Sequence, residues 1–315
     1  MIDAFCPFLA LRSRTRFVCL AGVSLFALAV SGHASLVDVT APTTSWTVIR
    51  YSGGPSSDPS TDQQTGVSEG DIVGNALHPS VYTMFGDANT PLKTDGNLAF
   101  RIRVGADSGP PGFAYAAFIG IITNPASGKI DLFLGVNNSG ATNYVGIWLP
   151  GTGSNTSPST TTIGNTPLVS YSEVASNYNW SPVTTTIDPS VGTATDINAD
   201  GNVDYFVTFS IPFADIVAQL AAKGITGINE DSLFSYVIAT STQGNSLNMD
   251  LNGVTGGVNS ASTWASLGAL TDPTSPVSSV PEVNGGALIA IAAALLVGAR
   301  WWKKSRLAAA LQRVG

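Results

Sequence analysis

The amino-acid sequence predicts a mainly β protein, an antiparallel β-sandwich of jelly-roll-like winding with one short packed helix, and three observations carry that reading. Short segments rich in β-branched and aromatic residues recur along the chain, most of them with period-two alternation. Turn-forming strings separate them, including Asp95-Gly96, Asn124-Pro125 and Asn138-Ser139-Gly140. Such strings suit tight antiparallel returns, whereas parallel strands need long crossovers. One segment stands apart, with the 3.6-residue period of a helix.

Taken in order, the chain opens with Arg12, Arg14 and Arg16, the uncharged apolar residues 17–30, and Gly32-His33-Ala34. This is the order of a secretory signal peptide, residues 1–34, cleaved before Ser35. Its 14 apolar residues fall short of the ~20 a bilayer core needs, which favours removal over retention as an anchor. Residues 46–51 alternate as a first strand. Residues 98–104 put Arg101 and Arg103 on one face and Phe100, Ile102 and Val104 on the other. Residues 113–123 are almost continuously apolar, as a central strand covered on both faces would be. Strands are expected again at 129–136, 143–149, 205–211 and 233–240.

The helix falls at residues 211–224. Pro212 lies near its first turn, Asp215 is early, Lys223 is in the last turn and Gly224 follows. Phe213, Ile216, Val217 and Leu220 form the stripe that packs on the sandwich. Residues 52–71 and 151–162 read as loops or flexible surface, the second with a Ser/Thr composition suited to O-linked sugar. The sandwich domain thus occupies residues 35–270, and residues 271–280 read as a Pro/Ser linker.

Charge and residue inventory narrow the chemistry. Residues 35–280 hold six basic and 19 acidic side chains, a net charge of −13, which opposes binding to nucleic acid or other polyanions. Both cysteines, Cys6 and Cys19, lie in the leader, so the body has neither disulfides nor thiolate chemistry. His78 is its only histidine, which excludes a multi-histidine zinc site. Phosphate loops, nucleophile elbows and metalloprotease helices are missing from the sequence. Glu69, Glu173 and Glu230 sit in polar, turn-like surroundings suited to solvated carboxylates, and no residue is assigned a catalytic role.

Two candidate sites remain. Asp196-Ile197-Asn198-Ala199-Asp200-Gly201-Asn202-Val203-Asp204 matches the first nine positions of an EF-hand-type calcium loop, with Asp196, Asn198, Asp200 and Asp204 as side-chain ligands and Asn202 offering its carbonyl. The bidentate glutamate at position 12 is replaced by Val207, and a strand follows in place of a helix. A structural calcium ion here would draw its remaining oxygens from another loop or from water. The same string also fits an Asp/Asn/Gly hairpin turn without an ion. The second candidate is a glycan platform, in which Trp180, Tyr178, Tyr171 and Trp148 would stack on sugar rings.

The C-terminus reads Val280-Pro281-Glu282, then the uncharged residues 287–299, then Arg300-Trp301-Trp302-Lys303-Lys304-Ser305-Arg306. A helix over 285–302 spans a bilayer when the tryptophans sit at the interface and the basic side chains snorkel, leaving residues 307–315 in the cytoplasm. Motif, apolar helix and basic cluster in this order resemble the PEP-CTERM class of sorting signals of exported Gram-negative proteins, over residues 281–306. Val283 departs from the motif's proline. The resemblance implies an inner-membrane stage and processing near the motif by an exosortase, followed by release to the cell surface or its exopolysaccharide matrix. Residues 205–213, a strand running through Ile211-Pro212-Phe213 into the helix, also resemble an element of carbohydrate-binding and DOMON-like sandwiches.

The expectation is therefore an exported, non-enzymatic cell-surface or matrix protein with a structural or adhesive role. A glycan-binding module is the alternative, and a secreted hydrolase ranks third.

Overall fold

The computed structural model describes residues 37–87, 92–107, 112–154, 161–255 and 263–279. The expected signal peptide, the expected sorting motif Val280, Pro281 and Glu282, and the residues expected to form the C-terminal apolar helix lie outside the described residues. Among those described, no helix is long and apolar enough to cross a membrane.

The chain is mainly β, with antiparallel sheets and few helices. In chain order the strands are β1 (Thr47–Val48), β2 (Arg50–Tyr51), β3 (Gly54–Pro55), β4 (Val81–Gly86), β5 (Asn97–Val104), β6 (Ala116–Ile122), β7 (Leu132–Asn137), β8 (Tyr144–Trp148), β9 (Val169–Ser172), β10 (Tyr178–Pro182) and β11 (Tyr205–Pro212). Helix α1 (Phe213–Ala222) follows, then β12 (Ser235–Ser241), β13 (Asp250–Leu251) and the short α2 (Trp264–Leu267). One sheet has the order β1-β4-β5-β11-β10, a second β13-β12-β6-β7-β8-β9, and β2-β3 is a small separate hairpin. Every pairing is antiparallel.

The period-two alternation decides which residues meet between the sheets. Phe100, Ile102, Val207 and Phe209 from the five-stranded sheet share one cluster with Ile119, Ile121, Leu134, Val145 and Ile238 from the six-stranded one. Helix α1 adds Phe213, Ile216 and Leu220, with Phe213 edge-on to Phe85 at 5.4 Å, so the stripe expected from the sequence is buried as a plug at the sheets' margin.

The outward faces are covered as well, which explains why β4 to β8, β11 and β12 are buried along almost their whole length. On the six-stranded sheet, Phe118, Phe133 and Trp148 lie beneath Leu247, Trp264 and Ala269. Glycines make room for those rings: a Cβ on Gly135 would stand 2.3 Å from the Ala117 carbonyl oxygen and 2.6 Å from Phe118 Cδ1. On the five-stranded sheet, Tyr82, Met84 and Phe206 are roofed by Val37, Val39, Trp46, Val183 and Val191.

Arg101 and Arg103 point into this second layer, both fully buried. Arg101 lies 4.3 Å above the Trp46 ring and donates to the carbonyls of Val39 and Ala41, each at 2.8 Å, and to Thr208 Oγ1 at 3.0 Å. Burial lowers its pKa to about 10, still cationic at neutral pH. Arg103 is held by Asp204, whose Oδ2 accepts from Nε at 2.7 Å and lies 2.7 Å from Nη2, while Nη2 donates to the Ala194 carbonyl at 2.7 Å and Asp188 Oδ2 stands 3.9 Å from Nη1.

Residues 52–71, expected as loop or flexible surface, are largely loop but anchored. Ser56, Asp58, Glu69 and Asp71 are buried, and Asp58 bridges to Gly74. Backbone amides need partners when buried, and this segment takes them from Asp71 and Met249, at Thr61 and Gln64 respectively. Residues 271–274, expected as linker, pair with β12 and its approach: Thr271 N donates to Tyr236 O, and Thr274 and Phe234 exchange two backbone bonds.

Candidate functional site

Strands β9 and β10 are edge strands of opposite sheets and follow one another directly in the chain, so residues 173–177 carry the chain from one sheet to the other. Beside that join lies a cleft of about 410 Å³. Gly112, Phe113 and Ala114 line it together with Asn138, Asn143, Glu173 and Tyr178. Its polar atoms are acceptors in want of donors: Glu173 Oε1 and Asn138 Oδ1 are buried with no hydrogen-bond partner. Burial raises the Glu173 pKa, against a lowering contribution from Asn138. A ligand bearing hydroxyl or amide hydrogens would satisfy such a wall, with the Tyr178 ring as its apolar complement.

Of the aromatic residues named from the sequence, Tyr178 lines this cleft. Its hydroxyl accepts from Asn138 Nδ2 at 3.4 Å, and burial keeps it neutral by raising its pKa. Trp180, two residues along β10, supports the wall: its ring stacks on Tyr205 at 4.8 Å and packs 5.3 Å from Phe113, while Nε1 donates to Asp107 Oδ2 at 3.4 Å. Tyr171 turns to the helix, its hydroxyl donating to Asp215 Oδ2 at 2.5 Å. Trp148 is elsewhere. It is fully buried beneath the outer cover of the six-stranded sheet, edge-on to Phe118 at 5.2 Å and 5.8 Å from Tyr144, and it presents no ring face to a ligand.

The remaining candidate acids are separated. Glu69 lies behind the cleft wall, fully buried, its Oε1 accepting from Ala114 N at 2.7 Å. Glu230 is 4.0 Å from Lys93. Glycoside hydrolysis uses two carboxylates facing each other across the substrate, and Glu173 is the one carboxylate among the lining residues.

In the Asp196 to Asp204 loop the side chains accept the loop's own amides. Asp196 accepts from Asp200 N at 3.2 Å and Gly201 N at 2.9 Å, and Asp200 Oδ1 accepts from Asn202 N at 2.8 Å. Asn198 Nδ2 donates to Gly105 O at 3.4 Å and Asp200 Oδ2 at 3.2 Å. Ala199 and Gly201 take positive φ, 56° and 89°, the geometry a tight acidic turn requires. Asp204 is fully buried and committed to Arg103. Burial raises its pKa to about 6, against the opposing pull of Arg103. A cation here would use the lone pairs these amides leave free and share Asp204 with a guanidinium. The strand periodicity placed Arg103 on this face, but a 101-residue separation hid its partnership with Asp204.

The fold also gathers a group that no local motif announces. Asp58, Asp62 and Asp250 each bring a carboxylate oxygen within 4.8 Å of the others.

No family model matches the chain, and no curated protein or solved structure matches it.

Proposed function

We propose that this is an exported, non-enzymatic protein of the cell surface or extracellular matrix, with a structural or adhesive role, delivered by its N-terminal signal and sorted through its C-terminal signal. The carrying observation is the order along the chain: basic and apolar leader, cysteine-free acidic body, then Pro281-Glu282, apolar run and terminal basic cluster. The protein passes through an inner-membrane stage, where an exosortase-type transpeptidase is its processing partner. The doubly covered sandwich supports a load-tolerant role, since a body without disulfides depends on burial for its stability. Intact mass of the protein recovered from its native envelope tests this reading. A species starting at Ser35 and ending near Pro281, or carrying added mass there, is expected; one retaining Gly315 would overturn the sorting claim.

A second reading is favoured by the cleft: the body binds glycan, and exopolysaccharide is its ligand class. Unmatched acceptors on Glu173 and Asn138 beside Tyr178 support it, as sugars bring both hydroxyl donors and apolar ring faces. Screening the protein on a glycan array, with Tyr178→Ala as the negative control, tests it. Retention equal in both proteins, or in neither, would remove the cleft from consideration. Calcium held by Asp196, Asn198, Asp200, Asn202 and Asp204 would serve in either reading as a stiffener of the turn before β11.

A further inference from the structure

Far from the cleft residues in sequence, the segment after β3 meets β13. Asp58 and Asp250, separated by 192 positions, are each 3% exposed, and Asp62 is half-buried beside them. Backbone amides orient the group. Asp58 Oδ1 accepts from Gly253 N, and Asp250 accepts from Ile72 N through Oδ2 at 2.6 Å and from Leu251 N through Oδ1 at 2.8 Å. Asp58 Oδ2 is then left buried with no donor of its own in the fold, and it can hydrogen-bond to Asp250 only if the two carboxyls share a proton. Nearby Asp71 repeats the pattern, 1% exposed, its Oδ2 accepting from Thr61 N at 2.9 Å and its Oδ1 unmatched.

Buried carboxylates ordinarily find a cation. None of the ion pairs among the described residues includes Asp58, Asp71 or Asp250. The basic side chains among the described residues are engaged elsewhere: Arg50 with Gly53 O, Lys93 with Asp231, Arg101 with Val39 and Ala41, Arg103 with Asp204, and Lys223 with Asp131 O, while Lys129 is exposed. Nor does any positive group lower these three acids. Burial is the largest cause raising Asp58, Asp250 and Asp71, and neighbouring carboxylates add to it in each.

Geometry and chemistry select the missing partner. Oxygens bound to one calcium ion at about 2.3–2.6 Å lie at most about 5 Å apart, and the three oxygens of this cluster fall within that limit. All the donors are carboxylate oxygens, with neither histidine nor sulfur, so a hard divalent cation is preferred over zinc or copper.

We propose that Asp58, Asp62 and Asp250 form a calcium site that ties the segment after β3 to β13. Each residue supplies one oxygen, and water or backbone carbonyls complete the shell. The site is separate from the Asp196 to Asp204 loop and stands or falls without it.

Isothermal titration of the full chain with calcium chloride after EDTA treatment, paired with thermal unfolding, provides the test. Binding is expected at a Kd of ~10⁻⁴–10⁻³ M, the range of extracellular calcium modules, with a rise in Tm on adding calcium. Asp62→Asn, at a half-exposed position that leaves the fold intact, weakens this binding by about tenfold or more, and Asp250→Asn abolishes it. Asp196→Asn and Asp200→Asn leave it in place. The proposal is overturned if the wild type shows no binding up to ~10 mM calcium, well above that range. It is equally overturned if binding survives in Asp62→Asn and Asp250→Asn yet disappears in Asp196→Asn, which would assign the ion to the loop. A Tm raised by Asp250→Asn with no calcium response in either protein would identify the cluster as a proton-sharing carboxyl pair.

Discussion

Replacing Arg103 by methionine is expected to destabilise the protein by about 2–4 kcal/mol at pH 7, because it leaves Asp204 buried without its counter-charge and the Ala194 carbonyl without its donor. At an effective dielectric of ~20, the 2.7 Å contact with Asp204 carries about 6 kcal/mol of gross attraction, and the 3.9 Å approach to Asp188 about 4. In the native protein the cost of drying these charges offsets much of that. Removing the guanidinium deletes the attraction and leaves the drying cost of the carboxylates. Asp188 is partly sheltered, since Thr43 and Ser190 donate to its other oxygen at 3.1 and 2.7 Å. Asp204 escapes only by taking up a proton. Relative to an unfolded-state value of 3.8, holding that proton costs about 4 kcal/mol at pH 7 and about 2 at pH 5, of which the native protein, with Asp204 at about 6, already bears about 3 and about 2, at ~1.36 kcal/mol per unit; the charge part of the deficit is therefore about 1 kcal/mol at pH 7 and near zero at pH 5. Protonation therefore caps the loss. In the variant, Asp204 has a folded-state pKa above the native value of about 6, so the deficit is smallest at low pH, where both proteins hold the proton, and grows as pH rises through 6. Urea denaturation of both proteins at pH 7 and pH 5 measures this, provided the m-values agree. A deficit below ~1 kcal/mol at pH 7, or one equal at the two pH values, would refute the account of a buried, uncompensated charge.

Three further outcomes are expected. Gly135→Ala drives a Cβ against the Ala117 carbonyl oxygen and should cost about 2 kcal/mol or more, whereas Gly140→Ala, with nothing within 4 Å, should change stability by less than about 0.5, both read from urea midpoints. Trp264→Ala removes the indole that roofs the six-stranded sheet and donates to Ser154 O at 2.7 Å; a loss of about 3–5 kcal/mol and a red-shifted Trp148 fluorescence are expected, and an unshifted spectrum would mean that ring was not covered by Trp264. Glu173→Gln should leave the Tm within about 2 °C while lowering retention on any glycan that the native protein binds, because an amide replaces one acceptor with a donor; unchanged retention would place the ligand elsewhere.

The sequence was most informative where burial imposes a period. Residues 98–104, 113–123 and 205–211 become β5, β6 and β11, and the stripe of Phe213, Ile216 and Leu220 becomes the buried face of α1. Strand β4 was missed although Val81–Gly86 is buried throughout, because both of its faces are covered and its Tyr-Thr-Met-Phe run shows no contrast between inside and outside. Strands β9 and β10 are short, partly exposed and polar, and their pairing partners set their conformation more than their own residues do. Local spacing exposed the Asp196 to Asp204 turn. It could not expose that Arg103 claims the last carboxylate, nor that Asp58 meets Asp250, since such contacts exist only after the sheets assemble. The cleft was half legible: Tyr178 and Trp180 stand in one string, while Phe113, Asn138 and Glu173 arrive from three other places.

The covering of both sheets bears on the order in which the chain can be completed. A polypeptide that emerges N-terminus first has residues 37–46, part of the roof of the five-stranded sheet, available from the start. The six-stranded sheet has no such advantage. Phe118, Phe133 and Trp148 are made early, but Trp264 and Ala269, which close over them, follow Trp148 by more than a hundred residues. Throughout that interval a broad aromatic face stands bare beside unfinished strand edges, the combination most prone to pairing with other chains. The emerging protein is thus most exposed to aggregation in the middle of its synthesis, and chaperone holding matters most before residue 269 has been made.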